Sequence, residues 1–133
     1  MTTVWTNGCF DILHIGHIEL FKYARSLGDQ LIVGIDSDNR VRSLKGTSRP
    51  INNQEYRKQL LNSIKYIDNV VIFNSDTELK ENIKIFHVDM IVIGDDYKDR
   101  YVIGSELVKN IIFMPKILNI STTSILERIH SDA

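Results

Sequence analysis

One cysteine in 133 residues, Cys9, leaves no partner for an intrachain disulfide, so packing alone must hold the fold, as in a reducing compartment. No apolar run approaches the roughly 18 residues that a membrane span needs. The chain also enters a strand pattern at once, without the basic and apolar segments of a signal peptide. A cytoplasmic protein with no membrane partner is expected. A surplus of one charge is lacking too: 16 Lys and Arg stand against 17 Asp and Glu, for a net −1. That balance argues against nucleic acid or an anionic lipid surface as the main partner and leaves a small molecule. Neither a Gly-x-Gly-x-x-Gly nor a Walker pattern occurs, which excludes a dinucleotide fingerprint and a P-loop. No repeat, linker or low-complexity segment breaks the chain. What is present, 43% hydrophobic and 25% charged residues, is the composition of one soluble globular domain over residues 1–133, with room for a core but not for a second domain.

Apolar runs alternate with helical periodicity along the chain. Val4–Thr6 reads as a strand, and Ile18–Leu27 as a helix with Leu20, Phe21, Ala24 and Leu27 on one stripe. Gln30–Ile35 is a continuous apolar strand of the kind buried on both faces of a parallel sheet, closed by Asp36-Ser37-Asp38. The polar, basic segment Arg40–Asn53 reads as a loop. Gln54–Ile67 then reads as a helix with Leu60, Leu61 and Ile64 buried, Asn69–Phe73 as a strand and Leu79–Phe86 as a helix. Met90–Ile93 and Ile111–Met114 read as strands, and Ile125–His130 as the last helix. Repeated strand-helix-strand units predict an α/β fold, a doubly wound parallel sheet with right-handed crossovers.

In such a sheet the ligand crevice lies beyond the carboxyl ends of the strands. The turn after the first strand, Asn7-Gly8-Cys9-Phe10-Asp11-Ile12-Leu13-His14-Ile15-Gly16-His17, carries two imidazoles three residues apart ahead of a helix. Both can donate to one anion. The unpaired N–H groups of the helix start favour negative charge, and Gly16 lets a ligand come close to the backbone. A second helix start follows Ser121-Thr122-Thr123-Ser124, where Ser121 can cap the helix or Ser124 can pair with Glu127. Two helix starts facing one polyanion suit a triphosphate.

These residues, together with Leu44-Lys45-Gly46-Thr47-Ser48-Arg49-Pro50-Ile51-Asn52, Arg57, Gly94-Asp95-Asp96-Tyr97 and Ile120-Ser121-Thr122-Thr123, resemble the cytidylyltransferase-type nucleotidyltransferase family over nearly the whole chain. The Asn7–Asp11 and Leu44–Asn52 wording is most similar to the adenylyltransferase domain of bifunctional heptose-phosphate enzymes. Gly94-Asp95-Asp96 and the Ile-Ser-Thr-Thr are similar to glycerol-3-phosphate cytidylyltransferases. The resemblance implies a Rossmann-like fold and transfer of a nucleoside monophosphate from ATP or CTP to a small phosphorylated sugar or polyol, with release of pyrophosphate and with Mg²⁺ as cofactor. It also implies a homodimer, expected to cover apolar residues of the first helix and of Asn69–Phe73.

The same resemblance assigns roles. His14 and His17 contact the phosphates, Lys45 the α-phosphate side and the acceptor, Arg57 an anionic group of either substrate, and Ser121 and Thr122 the β- and γ-phosphates, with Thr123 beside them. Gly8, Cys9 and Phe10 offer backbone N–H groups, Asp11 holds Mg²⁺ or orients His14, and Gly94 and Asp95 border the ribose. The chain departs from the glycerol-phosphate enzymes at Lys116 and Asn119, where they carry arginine and glycine; lysine keeps the charge but loses the planar fork, and asparagine tolerates a positive φ.

Each residue also has a plainer reading. Arg57 can form a helix-surface ion pair, Lys45 can be a solvated charge, Asp95 a turn former and Ser121 only a cap. Cys9, His14 and His17 have spacing open to zinc, without an evident fourth ligand. His14-Ile15-Gly16-His17 also spells the adenylate-binding signature of class I aminoacyl-tRNA synthetases, but the chain is too short for a tRNA-binding domain and lacks their second loop. A nucleotide-sensing module that kept the fold is the non-enzyme alternative, which loss of Lys45, either histidine or the Ser-Thr-Thr would have favoured.

Overall fold

The structure is a computed structural model that describes residues 1–115 and 121–132. Its elements run β1 (Thr3–Gly8), α1 (Ile15–Ser26), β2 (Gln30–Asp36), α2 (Asp38–Lys45), α3 (Gln54–Asn62), β3 (Asn69–Phe73), α4 (Asp76–Ile85), β4 (Met90–Gly94), β5 (Asn110–Met114) and α5 (Thr122–Asp132). The five strands form one parallel sheet in the order β3-β2-β1-β4-β5. Leu31–Ile35 of β2 are buried throughout, as a strand covered on both faces requires.

Helices cover both faces, so the expected double winding is present. On one face Phe21 and Ala24 of α1 and Leu61 of α3 pack with Val4, Val33 and Val92. On the other, Leu79 and Ile83 of α4 pack with Trp5, Ile32 and Ile91. Trp5 is fully buried, and its indole N–H donates to Asn7 Oδ1 at 2.8 Å, which supplies the partner that a buried Trp needs. That ring explains a glycine in mid-strand: a Cβ on Gly34 would stand 2.4 Å from Trp5 Cζ2.

The strand order reverses between β1 and β4, and there the pairing is short. Only Val4 with Met90 and Trp5 with Ile91 are in register, although both strands run three residues further. Their carboxyl halves therefore leave a crevice at the switch point, where α/β sheets bind ligands.

The polar segment read as a loop corrects to a helix over its first part. Ser37 caps α2 by accepting from Arg40 N at 3.2 Å, Asp38 sits in its first turn, and Gly46 ends it at φ 100°, a region that favours glycine. Val41 alone is buried on α2, so no apolar stripe announced it. α3 ends at Asn62 rather than Ile67, and Leu60 faces outward, 47% exposed.

Candidate active site

The turn after β1 is held by its own side chains. His14 is the N-cap of α1: its Nδ1 accepts from Gly16 N at 3.1 Å, while His17 Nδ1 accepts from His14 N at 3.2 Å. This is a capping box built from two imidazoles. Because both Nδ1 atoms accept, the proton of each neutral ring sits on Nε2, and each histidine keeps one donor. The rings stack with centroids 3.8 Å apart. Burial lowers the pKa of His14. Burial, then His14, then Lys45 push that of His17 down to about 4, so His17 is neutral at physiological pH. Phe10 packs edge-on against the His17 ring at 5.3 Å and adopts φ 50°, a strained backbone of the kind that clusters at functional sites.

A cleft of about 330 Å³ opens at the crevice between β1 and β4. It is lined by Gly8, Cys9, Phe10, Asp11, His14, Gly16 and His17 from the first turn, Lys45 from the end of α2, Gly94 and Asp95 from the end of β4, and Ser121, Thr122 and Thr123 from the start of α5. Thirteen of the fourteen residues expected at the site thus share one cavity wall, Arg57 being the exception. Lys45 is exposed, and its charge reaches both His17 and Cys9. The Cys9 thiol is raised above its ordinary pKa by burial, against the opposing pull of Lys45 and Arg57, so it stays protonated at neutral pH.

Three expectations change. Arg57 is fully buried and does not line the cleft: it donates to the carbonyls of Asn52, Cys9 and Asp36 and pairs with Asp38 at 2.9 Å. A guanidinium with four protein acceptors ties the β1 and β2 turns to α3 and is closed to ligands. Asp11, also buried, accepts from Arg49 Nε at 3.0 Å and from the backbone N–H groups of Ile51 and Asn52 at 2.8 Å each. Its carboxylate fastens the 46–52 loop; it neither touches His14 in the hydrogen-bond network nor stands open to a metal. Among the described residues no three His, Cys, Asp or Glu side chains cluster to hold an ion.

The hydroxyls at α5 are also engaged. Ser121 Oγ caps the helix, accepting from Ser124 N at 3.0 Å, and Thr122 Oγ1 donates to Ile12 O at 2.9 Å, locking the start of α5 to the histidine turn. The Thr122 proton is thus spent within the protein, as is the Ser124 N–H, so an anion at this helix start would rely on its other N–H groups. Lys116 and Asn119 lie outside the described residues. Arg49 and Thr6 line the cleft without having been singled out as site residues. Arg49 stood inside the quoted Leu44–Asn52 stretch, whereas nothing in the sequence marks Thr6 apart from other strand threonines.

The cytidylyltransferase-like family matches residues 5–128. The chain belongs to the cytidylyltransferase-like family. It is 49% identical over 128 residues to the bifunctional protein HldE of Nitratiruptor sp., covering 96% of this chain and 28% of that one. It is 48% identical over 126 residues to the HldE of Campylobacter concisus, covering 95% and 26%. The chain thus spans about a quarter of the length of these relatives. Among solved structures, the lipopolysaccharide core biosynthesis protein of Thermoplasma volcanium superposes with a TM-score of 0.70 at 26% identity, covering 86% of this chain and 97% of that one. Among the described residues no helix is long and apolar enough to cross a membrane.

Proposed function

We propose that the protein is a nucleotidyltransferase that moves a nucleoside monophosphate from a nucleoside triphosphate to a small phosphorylated sugar, releasing pyrophosphate, with ATP as donor and heptose 1-phosphate as acceptor. The observation that carries this reading is the meeting of the His14–His17 pair, Lys45 and the α5 start in one cleft at the switch point. An acceptor phosphate oxygen is already ionised and needs no general base. The site must hold the reactants in line and stabilise charge on the α-phosphate and the departing pyrophosphate. Two neutral imidazoles with fixed Nε2–H donors, an exposed lysine and a helix start do that. Mg²⁺ belongs to this reading as a substrate ion carried on the triphosphate, since it binds through phosphates and retained waters with few carboxylates.

The likeness to the HldE proteins and the Asn7–Asp11 wording support the adenylyl donor and the sugar 1-phosphate. The Gly94-Asp95-Asp96 and Ser121-Thr122-Thr123 wording favours a second reading, CTP with glycerol 3-phosphate. Pyrophosphate release from ATP and CTP at equal concentration, with heptose 1-phosphate and glycerol 3-phosphate in turn, separates the two. A tenfold advantage, about 1.4 kcal/mol, for CTP with glycerol 3-phosphate reverses the order. Release with no pair returns the chain to the nucleotide-sensing alternative.

The cytoplasm and a homodimer complete the reading. Tyr56 and Leu60, one turn apart on α3 and 59% and 47% exposed, offer an apolar face for a second copy. α1, by contrast, already buries Phe21 and Ala24, so its outward apolar residues are Ile15 and Tyr23. Light scattering at the monomer mass of 15.3 kDa at micromolar concentration counts against the dimer.

A further inference from the structure

We infer that Arg49 binds the phosphate of the acceptor and leaves the nucleotide to other groups; this rests on the nucleotidyl-transfer reading. Arg49 lines the cleft with its side chain only 11% exposed. Its Nε is pinned to Asp11 Oδ2 at 3.0 Å, which fixes the plane of the guanidinium. Its Nη2 is sealed from bulk water and has no hydrogen-bond partner. Asp11 already accepts from Ile51 and Asn52 as well, so the carboxylate that anchors the arginine leaves that donor unmatched. A charged donor without an acceptor is costly in a buried setting, so the Arg49 head gains by turning that edge, about its Asp11 contact, toward the cleft it lines, where a phosphate oxygen supplies the missing acceptor and uses the fork that arginine has and lysine lacks.

Topology says which phosphate. The strand order puts β2 on one side of β1 and β4 on the other. Asp95 and the start of α5 follow β4 and β5, while Lys45 and Arg49 belong to the connection after β2. The histidine pair follows β1, between them. In-line transfer sets the attacking oxygen opposite the departing pyrophosphate. With pyrophosphate at the α5 start and the α-phosphate at the histidines, the nucleophile comes from the β2 side, where Lys45 and Arg49 are, among the described residues, the cations lining the cleft. Lys45, exposed at the end of α2, can follow the reacting oxygen, whereas Arg49, anchored on Asp11, fixes the phosphate that carries it.

The test uses the full chain as wild type, Arg49→Lys and Arg49→Gln, with calorimetric affinities for heptose 1-phosphate, inorganic phosphate and ATP, and circular dichroism to check folding. Loss of one charge-assisted contact predicts that sugar-phosphate affinity falls roughly tenfold to a hundredfold in both variants, while ATP affinity stays within about twofold. A readout free of variant folding is the arginine Nε–H spectrum of the wild type, in which the Arg49 signal shifts on titration with inorganic phosphate. The inference is overturned when Arg49→Lys binds the sugar phosphate as wild type does, when ATP affinity falls in step with it, or when wild type binds neither phosphate probe. An Arg49-dependent phosphate affinity without pyrophosphate release from any nucleotide upholds the Arg49 site and overturns only the transfer reading.

Discussion

His14 and His17 cap one helix from both directions, each Nδ1 accepting a backbone N–H at 3.1 and 3.2 Å, with their rings stacked at 3.8 Å. The contact that starts α1 is therefore the contact that sets the tautomer of both rings. Each ring thus holds the helix start through Nδ1 and keeps Nε2–H free to donate, so substitutions here must be read on two axes.

On the nucleotidyl-transfer reading, replacing either histidine by alanine removes a donor aimed at developing charge, for which the expected loss is about 100-fold to 1000-fold in turnover, with a smaller change in nucleotide affinity. His14→Ala also strips the cap, costing about 1 kcal/mol. His14→Asn restores a good capping residue without the reach of Nε2, so its melting temperature returns toward wild type while turnover stays low. Near-normal turnover in both alanine variants removes the histidines from the mechanism.

The depressed pKa of His17 gives the fold an acid limb. The folded ring resists protonation down to about pH 4, whereas an unfolded histidine takes a proton near pH 6.5. Between these values the unfolded state binds more protons, so stability falls as pH drops from about 6.5 to about 4 and is fully present above that window. His17→Gln, which has no titrating group, is expected to flatten the slope there. Urea midpoints of the two proteins at pH 7, 5.5 and 4.5 measure it, and parallel slopes contradict the assignment.

How much of this was legible depended on whether the signal was apolar. Phe21 and Ala24, Leu79 and Ile83, and the Gln30–Ile35 run announced elements because burial leaves a period in the sequence. Helices α1, α4 and α5 each begin three residues before their apolar stripes suggest, at Ile15, Asp76 and Thr122, because the first turn of a helix is polar and capped. The same blindness hid α2, whose Ser37 cap and Gly46 stop were visible but whose only buried residue is Val41. At the site, the helix start at His14 was legible from the spacing of the two histidines. The switch of Arg57 and Asp11 from ligand contacts to loop anchors was not, since a buried carboxylate or guanidinium looks the same in sequence whether its partner is a phosphate or a carbonyl.

Arg57 supplies the next prediction. Its removal leaves three backbone carbonyls and Asp38 without their donor, and breaking such a buried arrangement costs about 3 to 5 kcal/mol. Arg57→Ala is expected to lower the unfolding free energy from urea titration by that much, and Arg57→Lys to recover only part, since a point charge cannot reach four acceptors in the fork geometry. In whatever fraction stays folded, nucleotide affinity holds. An Arg57→Lys protein of wild-type stability that binds no nucleotide reinstates the ligand reading.

Thr6 supplies the last. It sits 1% exposed on β1, beyond the short stretch paired with β4, and its Oγ1 is buried without a partner. A buried hydroxyl left unpaired costs about 1 to 3 kcal/mol of desolvation, while the methyl beside it fills space in a close-packed wall. The two halves of one side chain thus pull stability in opposite directions, and two substitutions separate them. Thr6→Val keeps the shape and discards the hydroxyl, so the ligand-free protein is expected to be as stable as wild type or about 1 kcal/mol more stable. Thr6→Ser keeps the hydroxyl and discards the methyl, so it loses about 0.5 to 1.5 kcal/mol, as deletion of a buried methyl does. The expected order in thermal melts is Val, then Thr, then Ser. A valine variant less stable than the serine variant would mean that the Thr6 hydroxyl is satisfied in solution, by a water held at the floor of the cleft, and that the wall there is polar by design.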